Sequence, residues 1–106
     1  MNRHWLNAPL RTGEIGTISE LKVSVDLFNK GWSVFRAMSH TSRMDLMAMK
    51  YEFKIAVEVK TARKNKNGKL SYQRKELRTG EYLALVLKNQ IIYLPDLPDI
   101  HTDILE

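Results

Sequence analysis

The sequence has no cysteine. That excludes disulfides and thiolate-ligated metal sites. No stretch approaches the about 18 consecutive apolar residues of a membrane-spanning helix. The opening Met1-Asn2-Arg3-His4-Trp5 lacks the apolar region of a secretory signal. An intracellular, cytoplasmic chain with no membrane partner is the expectation. Repeats, linkers and low-complexity segments are also missing. Proline is confined to three positions, Pro9, Pro95 and Pro98, so the middle of the chain is free to form uninterrupted elements. Negative charge is nearly absent from residues 60–78, where Glu76 stands alone against Lys60, Arg63, Lys64, Lys66, Lys69, Arg74, Lys75 and Arg78.

What is present fits one small domain over residues 1–106, with 43% hydrophobic residues to build its core. The net charge of +5 points toward polyanions. The basic run alone carries more than that excess, and the tail after Pro95 is acidic, with Asp96, Asp99, Asp103 and Glu106. Lysine and arginine provide the sequence-independent part of nucleic-acid affinity. Arg63, Lys64, Lys66, Lys69, Arg74 and Lys75 are therefore the candidate DNA-binding residues.

In chain order, residues 1–15 show no periodicity and read as an irregular arm, in which Arg3, His4 and Arg11 carry little weight. Residues 17–30 read as an amphipathic helix, because Ile18, Leu21, Val25 and Phe28 recur at spacings of three and four and make one apolar stripe. Gly31 stands where a C-terminal cap is expected. Residues 32–36 read as a strand, with Trp32, Val34 and Phe35 packing. Residues 38–42 are a polar connection in which His40 reads as a loop histidine. Two apolar runs follow on either side of Tyr51-Glu52. After a basic loop with an Asn67-Gly68 turn, Leu70 and Tyr72 share a face of a short edge strand. Residues 81–87 and 91–94 are buried strands, and the tail after Pro95 is at most a short helix. The expected fold class is α/β: a mixed central sheet of about five strands with an N-terminal helix packed on it.

The most informative stretch is Ala56-Val57-Glu58-Val59-Lys60, read with Asp45. Side chains alternate along a strand, so Glu58 and Lys60 stand together on the face opposite Val57 and Val59. If Tyr51-Glu52 closes a two-residue hairpin, Lys50 faces Phe53, and counting back sets Asp45 opposite Glu58. Opposed side chains in an antiparallel pair have Cβ atoms about 4.5–5.5 Å apart. Two carboxylates at that range repel, and a divalent metal is the natural compensation. Tyr-Glu is not a favoured turn sequence, and a slip of one residue would break the pair.

At these residues the chain resembles the PD-(D/E)xK nuclease superfamily, and within it the minimal Holliday-junction resolvases and related intron-homing endonucleases. The resemblance rests on the helix start Gly16-Thr17-Ile18-Ser19-Glu20, the strand entry Gly31-Trp32-Ser33-Val34, Asp45, and Glu58-Val59-Lys60-Thr61; it fades after Arg63. Met44 replaces the proline that names the motif. The resemblance implies a restriction-endonuclease-like core and metal-dependent hydrolysis of DNA phosphodiesters by Glu20, Asp45, Glu58 and Lys60. Asp45, Glu58 and the Val59 carbonyl would hold Mg²⁺, with Mn²⁺ able to substitute, and Glu20 would act through a water. Without the resemblance, Thr17-x-x-Glu20 also fits a capping box, with Ser19 as an alternative cap. Four-way junctions, cleaved structure-selectively as by a Holliday-junction resolvase, a homing or restriction site, and DNA damage or repair substrates all stay open as targets, with structure-directed or dimer-assisted recognition favoured in so short a chain. The competing class is a non-catalytic nucleic-acid-binding module with Tyr72, Trp5 or Trp32 as stacking platforms; it leaves the opposed carboxylates unexplained. One such centre cuts one strand, so a homodimer is expected, with the late strands or the 95–106 tail at its interface. No small-molecule cofactor is expected.

Overall fold

The computed structural model describes residues 11–39 and 42–100. The expectations placed on residues 1–10, on His40 and on the end of the tail lie outside them. Helix α1 (Thr12–Asn29) is followed by β1 (Ser33–Arg36), β2 (Leu46–Lys50) and β3 (Phe53–Thr61). A small ladder of β4 (Arg63–Lys64) and β5 (Leu70–Ser71) comes next, then β6 (Glu81–Val86) and β7 (Ile91–Leu94). The main sheet has the order β1-β2-β3-β6-β7. Only β3 and β6 run parallel in it. This is the mixed α/β sheet with one packed helix that the sequence implied.

The helix starts earlier than its periodicity suggests, and Thr12 to Ile15, expected in an irregular arm, are helical. The Glu14 carboxylate accepts from the Arg11 backbone N–H at 3.1 Å and so satisfies a donor at the helix start. Glu20 therefore lies mid-helix, and its capping-box reading is overturned, as is a cap at Ser19. The other end behaves as expected. Gly31 takes φ 91°, its N–H donates to the Phe28 carbonyl, and the Trp32 N–H donates to that of Leu27. These are the paired bonds of a Schellman cap, which needs a residue at positive φ.

The apolar stripe of α1 points the other way from the expectation. Leu21, Val25 and Phe28 are each more than half exposed, and Ile15 and Ile18 are exposed beside them. The seam on the sheet is narrower, made of Ser19, Val23 and Leu27 at spacings of four. Small residues let the helix sit close: Ser19 Oγ bonds Thr61 Oγ1 at 2.9 Å, and burying Val23 and Leu27 contributes about 1.5–3 kcal/mol each. They join Trp32, Leu46, Ala48, Ile55, Val57, Ala84 and Val86 in the main core. Phe35, expected to pack, is exposed on the opposite face.

A second apolar cluster fills the other face of the sheet. Ala62, Leu83, Leu85 and Leu87 are covered there by Leu70, Tyr72 and Leu77. Residues 72–78 form no regular element and lie across the sheet as a strap. Leu70 and Tyr72 do share the covered side, but the edge strand expected over residues 69–74 shrinks to Leu70–Ser71, and Tyr72 already belongs to the irregular strap.

Candidate active site

The register of the β2–β3 hairpin decides where the carboxylates fall. Lys50 pairs with Phe53 and Leu46 with Val57, so the loop is Tyr51-Glu52 and the next pair is Asp45 with Glu58. Tyr51 takes φ 56° to make the turn, a left-handed conformation that its sequence does not favour. The tight closure keeps the register that sets the two acids side by side.

Both acids are held by identifiable contacts. Asp45 Oδ2 accepts from the Val59 backbone N–H at 2.8 Å, which fixes its carboxylate beside the neighbouring strand. Glu58 is buried, at 8% exposure, on the face that the strap covers. Its burial, and then the neighbouring Asp45 carboxyl, push the Glu58 acid above the ordinary glutamate range, while the Lys75 ammonium pulls it back. This is the signature of like charges brought together in a partly dehydrated place.

Two lysines approach from the same face. Lys60 Nζ lies 3.9 Å from Glu58 Oε2 and donates to Gln73 Oε1 of the strap at 3.3 Å. Lys75 is closer: its Nζ donates to Glu58 Oε2 at 2.5 Å and also to the Arg43 carbonyl. The sequence placed Lys75 among residues facing DNA, whereas its ammonium is directed into the site. No local spacing signals this, because the strap brings it in from a distant part of the chain. Arg43 anchors the strap. Its guanidinium grips both oxygens of Glu81 at 2.9 and 2.7 Å and donates to the Glu76 carbonyl at 2.9 Å.

Glu20 stands apart from this group. It lines a cavity of about 500 Å³ with Asp45, Arg36, Ala37, Met38 and Ser39. Arg36 Nε donates to its Oε1 at 3.2 Å. Among the described residues no group of three or more histidines, cysteines or acids is gathered closely enough to hold a metal by itself. The donor set at the centre is therefore two carboxylates with backbone carbonyls nearby. All are oxygen donors, the chemistry that suits a hard divalent cation keeping several waters.

The basic residues extend from the same end of the sheet. Arg63 and Lys64 on β4, with Ala62, Leu87, Lys88, Asn89 and Gln90, line a cleft of about 600 Å³. Lys88 is a basic contributor that the sequence pattern did not single out. Lys66 and Lys69 are exposed in the β4–β5 turn, which Asn65 Oδ1 organises by accepting from the Asn67 and Lys69 N–H groups. Arg74 lies over the Tyr72 ring, 5.5 Å from its centre. Trp32 is buried, so it offers no stacking platform; Tyr72 is half-buried against the second cluster and covered by Arg74.

The five-stranded mixed sheet with its one packed helix is a fold shared with a solved structure. The chain is similar to the solved structure of a bacterial homing endonuclease, I-Ssp6803I, with a TM-score of 0.62 and 17% identity over 74% of this chain and 59% of that one. The chain thus spans less than two thirds of that structure's length. No protein-family model matches the chain, and no curated protein matches it. No helix among the described residues is long and apolar enough to cross a membrane.

Proposed function

We propose that this chain is a metal-dependent DNA endonuclease of the PD-(D/E)xK type that hydrolyses phosphodiester bonds. The observation that carries the reading is the opposed Asp45–Glu58 pair with Lys60 and Lys75 beside it. A like-charge pair in a partly buried place is costly unless it serves a cation. The binding-module alternative gives that pair no work and has lost Trp32 as a platform.

A bound Mg²⁺ or Mn²⁺ would stabilise charge on the phosphate and acidify the attacking water. The chain's own groups do the rest. Asp45, fixed by the Val59 N–H, and Glu58 would hold the cation with backbone oxygens, the Val59 carbonyl among them. Lys60 orients the attacking water and offsets the charge developing on the phosphate. Glu20, on the far side of the Asp45 cavity, positions a water there. Arg63, Lys64, Lys66, Lys69 and Arg74 track the DNA backbone, with Lys88 completing the cleft.

The structural neighbour is a homing endonuclease, and for this chain we infer cleavage of both strands of a duplex at a site. Resolution of four-way junctions is the alternative that the motif resemblance keeps open. Either outcome needs two centres, and we place the second on a symmetric partner. The late strands no longer argue for the contact, because the strap covers Leu83, Leu85 and Leu87. The exposed α1 stripe does, since contiguous exposed apolar surface marks interaction sites. Incubating the protein with Mg²⁺ and supercoiled plasmid, linear duplex, branched DNA and single strands separates these substrates. Sedimentation equilibrium at micromolar concentration should show a dimer, and a protein that stays monomeric and only nicks would contradict the two-centre arrangement.

A further inference from the structure

Lys75 reaches the acids from the strap, and its position differs from that of Lys60. One ammonium is bonded both to the Glu58 carboxylate and to the carbonyl of Arg43, two residues before Asp45. Oxygen atoms from the β3 strand and from the approach to β2 thus converge on a single cation. The same convergence of oxygens is what a hard divalent ion takes. An ammonium and a divalent ion repel strongly at contact range in a partly dehydrated place, so they exclude one another there.

Release of Lys75 does not require the strap to unfold. Tyr72 and Leu77 remain packed on the second cluster, and Arg43 still holds the Glu76 carbonyl. The lysine stem is flexible and its ammonium is a compact charge that can swing alone. Its ammonium starts beside Lys60, since both approach Glu58 Oε2, and it follows Arg74 in the chain.

We propose that Lys75 is a built-in counter-ion that occupies the cation position at the Asp45–Glu58 pair and must be displaced when a divalent metal binds, after which it serves a DNA phosphate. This rests on the reading that the pair takes a divalent cation. The roles of the two lysines then differ: Lys60 stays by the pair throughout, and Lys75 is exchanged.

Calorimetric titration of Mn²⁺ into the full chain without DNA tests the displacement. Lys75→Met removes the competing charge and should bind Mn²⁺ about tenfold tighter than wild type, the scale of one charged hydrogen bond. Lys75→Gln keeps a polar side chain on the strap and should tighten binding similarly, which guards against a folding defect in the methionine variant. Lys75→Arg keeps the charge and should stay near wild type. Equal or weaker Mn²⁺ binding in both charge-removing variants, with binding lost in Glu58→Gln, overturns the counter-ion role and leaves the metal site standing. No Mn²⁺ binding to wild type or to either variant overturns both.

Discussion

Glu81 carries the clearest single-residue electrostatic signature. Its carboxylate accepts two bonds from Arg43 and one from the Arg78 N–H, which lower its acid from the ordinary 4.5 to about 2. A depressed folded-state value means that the stability it contributes is fully present above about pH 4.5 and is lost as pH falls toward 2. Glu81→Gln should flatten the acid limb of a melting-temperature profile across that window; a profile identical to wild type would show that the Arg43 grip does not hold the strap in solution. Glu20 poses a different question. Its pairing with Arg36 is partly exposed and contributes about 0–1 kcal/mol at most, and the helix start no longer needs it. Glu20→Gln should keep nearly the same melting temperature and lose most cleavage, and full cleavage would leave Glu20 only as the partner of Arg36. Asp45, Glu58 and Lys60 were legible in the sequence because alternation and one short loop fix their relative places. Lys75 was not, because the contact depends on how an irregular strap crosses the sheet.

The β2–β3 hairpin is the element on which the site depends. Its strands specify register through Leu46, Ala48, Ile55 and Val57, all buried toward the helix, so the strands override a poor turn sequence. Tyr51 at φ 56° carries the cost. Tyr51→Asn, which tolerates that conformation, should raise stability by about 0.5–1 kcal/mol with cleavage unchanged. Chemical denaturation measures the first and a plasmid assay the second, and a loss of cleavage would mean that the register had moved. Helix α1 shows the opposite case. It carries two apolar sets at helical spacing, and the larger, Ile18 with Leu21, Val25 and Phe28, looked like the core face. The sheet accepts the smaller Ser19–Val23–Leu27 seam, because close approach to Thr61 favours small groups. Periodicity gives the helix but not which of two stripes is covered. The β4–β5 ladder and its turn carry Arg63, Lys64, Lys66 and Lys69, all exposed. Neutralising Arg63, Lys64, Lys66 and Lys69 together should weaken binding to every DNA and flatten the slope of log affinity against log salt by up to about 0.9 per lost contact. An unchanged slope would place the DNA path elsewhere.

At the scale of the molecule, one sheet does two jobs. Its helix face builds the main core, and its other face carries the acids at one part and the strap-covered second cluster at the other. The sheet order and the single parallel pair were implied by the sequence only as a mixed sheet, since strand order is set by long-range packing that no local pattern records. The central question is whether Asp45 and Glu58 hold a catalytic cation. The most direct measurement is plasmid cleavage with Mg²⁺ by wild type, Asp45→Asn and Glu58→Gln, alongside DNA binding by mobility shift without metal. Wild type should cleave and stop in EDTA, neither variant should cleave, and both should bind DNA as well as or better than wild type, because each loses a negative charge that would repel phosphate. Cleavage that persists in EDTA, or in both variants, would contradict it.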